Sequence, residues 1–587
     1  MVKQLLKSIR EFKLATILTP TFVVGEVIIE ALIPFLISLL INDIKAGCDL
    51  SVILGYAWKL VVLSLLSLLC GYLAGIYCAE ASTGFARNLR YDIFTNIQKF
   101  SFSNIDKFSS ASLVTRLTTD IQNVQMAFMV IIRTAVRAPL NLIFSFTMAY
   151  IMGGTMAVIF LIIIPFLGIG LYLIVKTVMP IFKKGFPLFD KITRIVEENV
   201  KGIRVVKSFV REDYEINKFD ETSNDIRKMF TRAEQIIALN NPLMQISIYA
   251  VMLFVLMFGS EMIIKTNATS LDVGQLSTLM TYGFQIMVSL MMLSMVFVMI
   301  TFSEESCKRI VEVLNEKSSI TSKENAITEV KDGSIDFDHV RFKYSPTAER
   351  PVLEDIDIHI QSGETIGIIG GTGSAKSSLV QLIPRLYDVT EGTVRVGKED
   401  VRDYDLVTLR DSVAMVLQKN VLFSGTIADN IRWGNKDATL EEVKHVCHLA
   451  CADEFIEQLP DGYDTWIEQG GTNVSGGQKQ RLCIARALLK QPKILIMDDS
   501  TSAVDTKTDA IIRKAMKEYI PETTKIIIAQ RTSSVEDADR IIVLDGGKID
   551  AIGTSEELLK TNQIYREVYL SQNKQGTEEI VEEGGVR

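Results

Sequence analysis

Cysteine is scarce and unpatterned in this sequence. The 587 residues hold seven (Cys48, Cys70, Cys78, Cys307, Cys447, Cys451 and Cys483), an odd number with scattered spacing. That excludes a disulfide framework as the source of stability. Excess positive charge is absent too: the net charge is −8, so bulk electrostatics gives no case for a nucleic-acid partner. Cys447, His448 and Cys451 do lie close together, but on a helical pattern and with no second Cys/His pair to complete a tetrahedron. Helix packing, not metal, is expected there. No Ala-x-Ala cleavage pattern follows the basic N-terminus (Lys3, Lys7, Arg10, Lys13). The hydrophobic run behind it is about thirty residues long, longer than a signal-peptide core, and reads as a retained first span.

Apolar length is what the chain has in quantity. Hydrophobic residues make up 48% of it, with a mean hydropathy of +0.24. The lipid-like runs fill roughly the first half and leave the remainder globular in composition, so a membrane domain followed by a soluble domain is expected. Six stretches are long enough for a bilayer core, near residues 16–42, 52–80, 130–152, 155–178, 240–264 and 274–301. The connections near 43–51, 152–155 and 265–273 are short and nearly free of basic residues, whereas those at 81–129 and 179–239 are thick with Lys and Arg. The positive-inside bias puts the N-terminus, both long loops and the C-terminal domain in the cytoplasm.

Residues 102–125 and 197–214 mix apolar and charged side chains at helical spacing, so helices are expected to continue beyond the membrane. They are either solvated extensions or coupling helices that press on a cytoplasmic motor. Glu26 and Glu30 share one face of the first span. Such carboxylates are costly in lipid and face a partner or a cavity; pairing with Arg133 or Arg137 and attraction of a cationic substrate both remain open. Met287, Met291 and Met295 belong to a methionine-rich sixth span. They are ordinary filler or an adaptable apolar binding surface.

The soluble part carries the chemistry. Strand Thr365–Ile369 feeds Gly370-Gly371-Thr372-Gly373-Ser374-Ala375-Lys376-Ser377-Ser378 and then a helix. This is the order of a P-loop: backbone N–H groups wrap phosphates, Lys376 reaches the β/γ-phosphates and Ser377 ligates Mg²⁺. Ala375 stands where glycine usually precedes the lysine. It costs little if that backbone is helical, and weakens nucleotide binding if its methyl crowds the phosphates. An apolar strand ending in Asp498 gives the Walker B pattern, whose carboxylate holds Mg²⁺ through water. Gln418 sits at Q-loop spacing, where an amide can touch Mg²⁺ and the attacking water. Tyr344 ends a strand in a position to stack on adenine. Ser475-Gly476-Gly477-Gln478 at a helix start suits an anion, and Ser502-Ala503-Val504-Asp505 reads as a D-loop.

Together, in this order and spacing, these motifs resemble those of ABC half-transporters of the type IV exporter class, from about residue 10 to 570, and more narrowly the degenerate-site subunit of heterodimeric bacterial multidrug exporters. The resemblance implies a membrane α-helical six-span domain with the ABC exporter fold followed by an α/β P-loop nucleotide-binding domain. The boundaries read as 1–315 for the membrane domain with two cytoplasmic coupling loops, 316–333 for a linker, 334–572 for the nucleotide-binding domain and 573–587 for an acidic flexible tail. It implies ATP and Mg²⁺ as ligands, Ser475–Gln478 acting on ATP held by a partner, and small hydrophobic substrates moved across a bacterial plasma membrane. Active members carry glutamate at Asp499 and histidine at Gln530. The two changes imply a slow site here and an unlike partner that keeps both residues. The alternatives are a homodimeric exporter of lipid or peptide, or a non-transporting ATP-gated regulator or channel.

Overall fold

The computed structural model describes residues 1–267, 269–345, 347–500 and 504–572, the side chains of Lys183, Phe186 and Asp190 excepted. The acidic tail and the Ser502-Ala503 part of the expected D-loop lie outside the described residues. The chain forms two compact units: Met1–Gln98 with Phe108–Glu316, and Lys99–Lys107 with the chain from Lys317 onward.

The first unit is helical. Its long helices are α1 (Lys13–Lys45), α2 (Leu50–Gln98), α3 (Ile121–Gly153), α4 (Val158–Lys201), α5 (Glu212–Ile237), α6 (Asn240–Thr266) and α7 (Val273–Asn315). Among the described residues five continuous helical segments are long and apolar enough to cross a membrane. The six expected stretches fall on these five because Ser110–Lys201 carries two of them. The chain breaks helical geometry between them at Gly154, whose φ of +52° suits glycine. It also reverses there. Asn123 donates to Ser306 and Ser145 to Gln285, so α3 runs antiparallel to α7. Phe160 lies against Gly283 and Phe182 against Phe302, so α4 returns parallel to it. At 1.5 Å per residue α2 is about 73 Å long, over twice a hydrocarbon core of about 30 Å, so its far end lies outside any bilayer it crosses. A capping box starts α7: Gln275 N–H donates to Asp272 Oδ1 at 2.6 Å, and Asp272 N–H to Gln275 Oε1 at 2.9 Å.

Charges inside this unit are paired. Asp120, fully buried, accepts from Arg309 Nε at 2.8 Å and from Ser306 at 2.9 Å, which ties the start of α3 to the end of α7. Arg137 of α3 reaches both carboxylates of α1, Glu26 at 3.1 Å and Glu30 at 2.7 Å. Gly71 of α2 faces Glu26, and a Cβ there would stand 2.8 Å from Oε1. Glycine therefore leaves room for the carboxylate between two closely packed helices.

Among its described residues the second unit holds two larger sheets and a two-stranded pair of Gly425–Thr426 with Trp466–Ile467. Strands β1 (Ile335–Phe342), β2 (Leu353–Ile360) and β4 (Glu391–Val396) form an antiparallel layer in the order β2-β1-β4, with the short strand Glu399–Asp400 at its edge. The larger sheet contains β3 (Thr365–Gly370), β5 (Val413–Val416), β6 (Ile494–Asp498), β7 (Thr524–Ile528), β8 (Arg540–Asp545) and β9 (Lys548–Gly553), in the order β9-β8-β3-β7-β6-β5. All its pairings are parallel except β8 with β9. β6 and β7 are buried at every position. Strands covered on both faces read as unbroken apolar runs, which is why Ile-Leu-Ile-Met and Ile-Ile-Ile occur here without alternation.

Arg137 is the shared, partly buried cation of the α1–α3 contact, and removing it leaves the buried Glu26 carboxylate without its counter-charge, which is destabilising. Arg137→Leu is expected to lower the thermal unfolding midpoint of the lipid-reconstituted protein sharply, and Arg137→Lys to do so less. A midpoint unchanged in Arg137→Leu would show that the pairing contributes nothing to stability.

Candidate functional site

Parallel strands all end on the same edge of their sheet, and ligands of such sheets bind outside those carboxyl ends. β3 ends at Gly370, β5 two residues before Gln418, β6 at Asp498 and β7 two residues before Gln530. In register, Ile528 lies beside Asp498 on one side and beside Ile368 on the other. Topology alone therefore gathers Gly370–Ser378, Gln418, Asp498, Asp499 and Gln530 around one cleft of about 480 Å³.

The loop after β3 wraps one wall of this cleft. Lys376 Nζ donates to the carbonyls of Gly370 at 2.8 Å and Gly371 at 2.9 Å. Burial pushes its ammonium pKa down, opposed by the charges of Asp498 and Asp499. Burial pushes both carboxyls up; for Asp498 the Ser377 hydroxyl and the Lys376 charge pull the other way, while Asp499 adds to the rise. Ser377 and Asp498 both line the cleft, and both are hard oxygen donors of the kind Mg²⁺ selects. Among the described residues no cluster of three or more His, Cys, Asp or Glu could hold a metal on its own. Cys447 is buried in the apolar core of its helix, and His448 Nδ1 instead meets Asp453 at 2.6 Å.

Asp499 occupies the centre of the cleft floor. Its backbone φ is +49°, and its N–H donates to Ile528 at 3.0 Å. Its Oδ2 accepts from Gln530 Nε2 at 2.9 Å and from Gln418 Nε2 at 3.4 Å. Three residues from three strand ends thus form one hydrogen-bonded group. Gln530 is in turn anchored by Gln572, whose Nε2 donates to its carbonyl at 2.8 Å. Gln572 and the cleft-lining Val568 lie on the last described helix, Gln563–Gln572. The pattern-based reading missed both, because no local motif marks a contact made forty residues away.

Tyr344 does not line the cleft. Its hydroxyl lies 2.8 Å from that of Ser378 and its ring is half exposed, edge-on to Phe342 and Tyr387. Ser475 caps the helix Gly476–Leu489: its side chain accepts from Gln478 N–H, and the Gln478 side chain accepts from Ser475 N–H at 2.8 Å. This helix start faces solvent and contributes nothing to the chain's own cleft. Asp505 caps the helix Thr506–Tyr519 by accepting from Thr508 N–H at 3.0 Å. In the helical unit, Met291 and Met295 line an apolar cavity of about 220 Å³ with Phe182 and Asn240. Met287 is fully enclosed in the packed core of α4, α6 and α7, so it faces no cavity there. Glu26 and Glu30 take the pairing alternative, on Arg137 rather than Arg133.

A phosphate-cradling loop, a Walker-type carboxylate and a multi-span helical unit define an ATP-binding membrane protein. Residues 16–302 match the ABC transporter transmembrane region and residues 353–502 the ABC transporter family. The chain is 34% identical to the uncharacterized ABC transporter ATP-binding protein YfiB of Bacillus subtilis, over 94% of this chain and 96% of that one. It is 32% identical to an ATP-dependent lipid A-core flippase of Desulfotalea psychrophila, over 85% and 87% of the two chains. Its fold is that of a solved bacterial Atm1-family ABC exporter with ATP bound, with a TM-score of 0.82, 24% identity, and 96% and 98% of the chains covered. The chain therefore belongs to the ABC transporter family, as a type IV exporter half-transporter. Such exporters bind ATP in this domain and act as dimers in a membrane.

Ala375 has φ +70° and ψ +20°, the left-handed region. The condition under which alanine would cost little, right-handed helical dihedrals, is not met: a Cβ in the left-handed region costs about 1–2 kcal/mol. Ala375→Gly should therefore raise stability by about 1 kcal/mol. For a domain of this size that is a shift of about 2–4 °C in the unfolding midpoint, readable by calorimetry. A fall in the midpoint would show that the methyl contributes packing worth more than the strain.

Proposed function

We propose that this chain is one half of a two-chain ATP-driven exporter and that its own Walker motifs form the slow ATP site. The supporting observation is the pair of amides on Asp499, Gln530 at 2.9 Å and Gln418 at 3.4 Å, both directed at one carboxylate oxygen. An active cassette carries glutamate here to hold the attacking water. Aspartate is shorter by one C–C bond, about 1.5 Å, and in this chain its oxygen is already engaged. Displacing a catalytic group by about an ångström costs about 10²-fold in rate. Gln530 can donate to a phosphate oxygen but has neither the ring nor the charge of histidine.

The remaining residues fit nucleotide binding. Gly370–Ser378 present backbone N–H groups to the phosphates, and Lys376 exchanges its carbonyl partners for phosphate oxygens. Ser377 and Asp498, the latter through water, with Gln418, would hold Mg²⁺, which when bound neutralises phosphate charge. Tyr344 lies outside the phosphate cleft, bonded to Ser378 at its rim, and meets the adenine where the base projects beyond the cleft. Ser475–Gln478, with two glycines at a helix start, binds the phosphate of ATP held by an unlike half-transporter that retains glutamate and histidine, and the Asp505 loop lines the shared interface. ATP closes the two motor domains and reopens the helices outward. Hydrolysis on the partner resets them, while this site keeps its nucleotide. Small hydrophobic or amphipathic compounds are the substrates, with Met291 and Met295 on their path and the membrane a bacterial plasma membrane with both termini cytoplasmic. The second reading, a homodimeric exporter of lipid, draws on the similarity to a lipid A-core flippase.

Steady-state ATPase activity of this chain in lipid separates the two readings. Negligible wild-type turnover is expected, with a gain of about 10²-fold in Asp499→Glu/Gln530→His and far less in either single variant, because the two groups act on one another. Robust wild-type turnover that a Lys376→Ala control abolishes would instead establish a self-sufficient homodimer.

A further inference from the structure

The last described helix, Gln563–Gln572, bears on the cleft although no sequence motif lies on it. Asn562 starts it by accepting from the Tyr565 N–H at 2.8 Å. Tyr565, Val568 and Gln572 then follow at i, i+3 and i+7, the spacing of one helical face. Tyr565 is fully buried in an apolar cluster with Ile527 and Ala529, at the end of β7. Val568 lines the cleft. Gln572 reaches the chain that leaves the sheet.

Beyond Ala529, whose N–H donates to Ile368 at 3.3 Å, that chain is no longer a strand. Gln572 holds it instead. Its Nε2 donates to the Gln530 carbonyl at 2.8 Å, and its Oε1 accepts from the Thr532 N–H at 2.9 Å and from the Thr532 hydroxyl at 3.2 Å. One amide thus grips the backbone on both sides of Arg531 and fixes the point from which the Gln530 side chain departs. That side chain gives one hydrogen of Nε2 to Asp499 at 2.9 Å. A primary amide carries two donors, so the second is available to a ligand oxygen in the cleft. Hydrogen bonds weaken steeply as their angle closes, so the donor is useful only while its backbone is held.

We propose that Gln572 is a positioning residue for nucleotide discrimination: by clamping Gln530 and Thr532 it aims the Gln530 amide at the third phosphate, and so sets how strongly the cleft prefers a nucleoside triphosphate to a diphosphate. The inference rests on the nucleotide reading of the cleft. It needs neither slow hydrolysis nor an unlike partner. The loop Gly370–Ser378 wraps phosphates that both ligands share, whereas a diphosphate offers Gln530 no third phosphate to meet. The triphosphate therefore gains one hydrogen bond to a charged group that the diphosphate lacks, about tenfold or more in affinity.

The test is the pair of dissociation constants for Mg-ATPγS and Mg-ADP, measured by calorimetry on the full chain in lipid nanodiscs. Gln572→Ala is expected to weaken ATPγS by about tenfold and ADP by less than about twofold. Gln572→Glu has the same length and keeps the acceptor for Thr532, but has no hydrogen to give the Gln530 carbonyl. It should show the same selective loss. In a Gln530→Ala background the amide is already gone, so adding Gln572→Ala should change the ratio of the two constants by less than about twofold. A helix that only braces the fold would weaken both ligands equally, or give losses that add in the double variant. Either result would overturn the proposal, as would a wild-type ratio retained in Gln572→Ala or Gln572→Glu. Failure of the wild type to bind either ligand would remove the nucleotide reading itself, and the proposal with it.

Discussion

Everything in the motor unit follows from strands that run the same way. In a parallel sheet each strand must be re-entered from the opposite end, so all the exits lie on one edge. Residues separated by more than a hundred positions, such as Lys376 and Asp498, share a cleft for that reason alone. The constraint also decides what the site feels electrostatically. Two carboxylates and an ammonium sit in a partly dry space, their proton affinities displaced mainly by burial. A polyanionic ligand with its metal completes that set of charges.

The helical unit solves a different problem, that of placing charge among apolar helices. Arg137 answers two carboxylates on α1, and Gly71 on α2 leaves the space they occupy. Asp120 is satisfied by a guanidinium and a hydroxyl from α7. Each bond joins elements far apart in sequence, so the helices are held in one register in a setting where apolar packing alone would permit sliding.

Much of this was legible in the residues. The P-loop, the Walker carboxylate and Gln418 are local patterns whose chemistry requires a strand end, and the strands are there. Periodicity found the apolar stretches, and the chain reverses between the third and fourth of them at Gly154 within a single short turn. What was not legible is long-range. Gln572 behind Gln530 and Gly71 opposite Glu26 carry no local signature, because each is defined by the neighbour that tertiary packing supplies. Met287 illustrates the same limit from the other side: it shares the spacing and chemistry of Met291 and Met295, yet the first is walled in by α4 and α6 while the others face a cavity. Ala375 was a question of dihedral angle, which composition cannot answer.

The backbone of Asp499, at φ +49°, bears on how such a site can persist over time. Aspartate and asparagine are several-fold enriched at positive φ relative to longer side chains, because their short polar groups can bond locally. At this position aspartate is the acid the main chain accommodates most easily, and a longer acid would meet the same positive φ with less local compensation. An exchange of Asp499 for glutamate would therefore run uphill in folding whatever it did to turnover, so the backbone itself favours the residue that stands there.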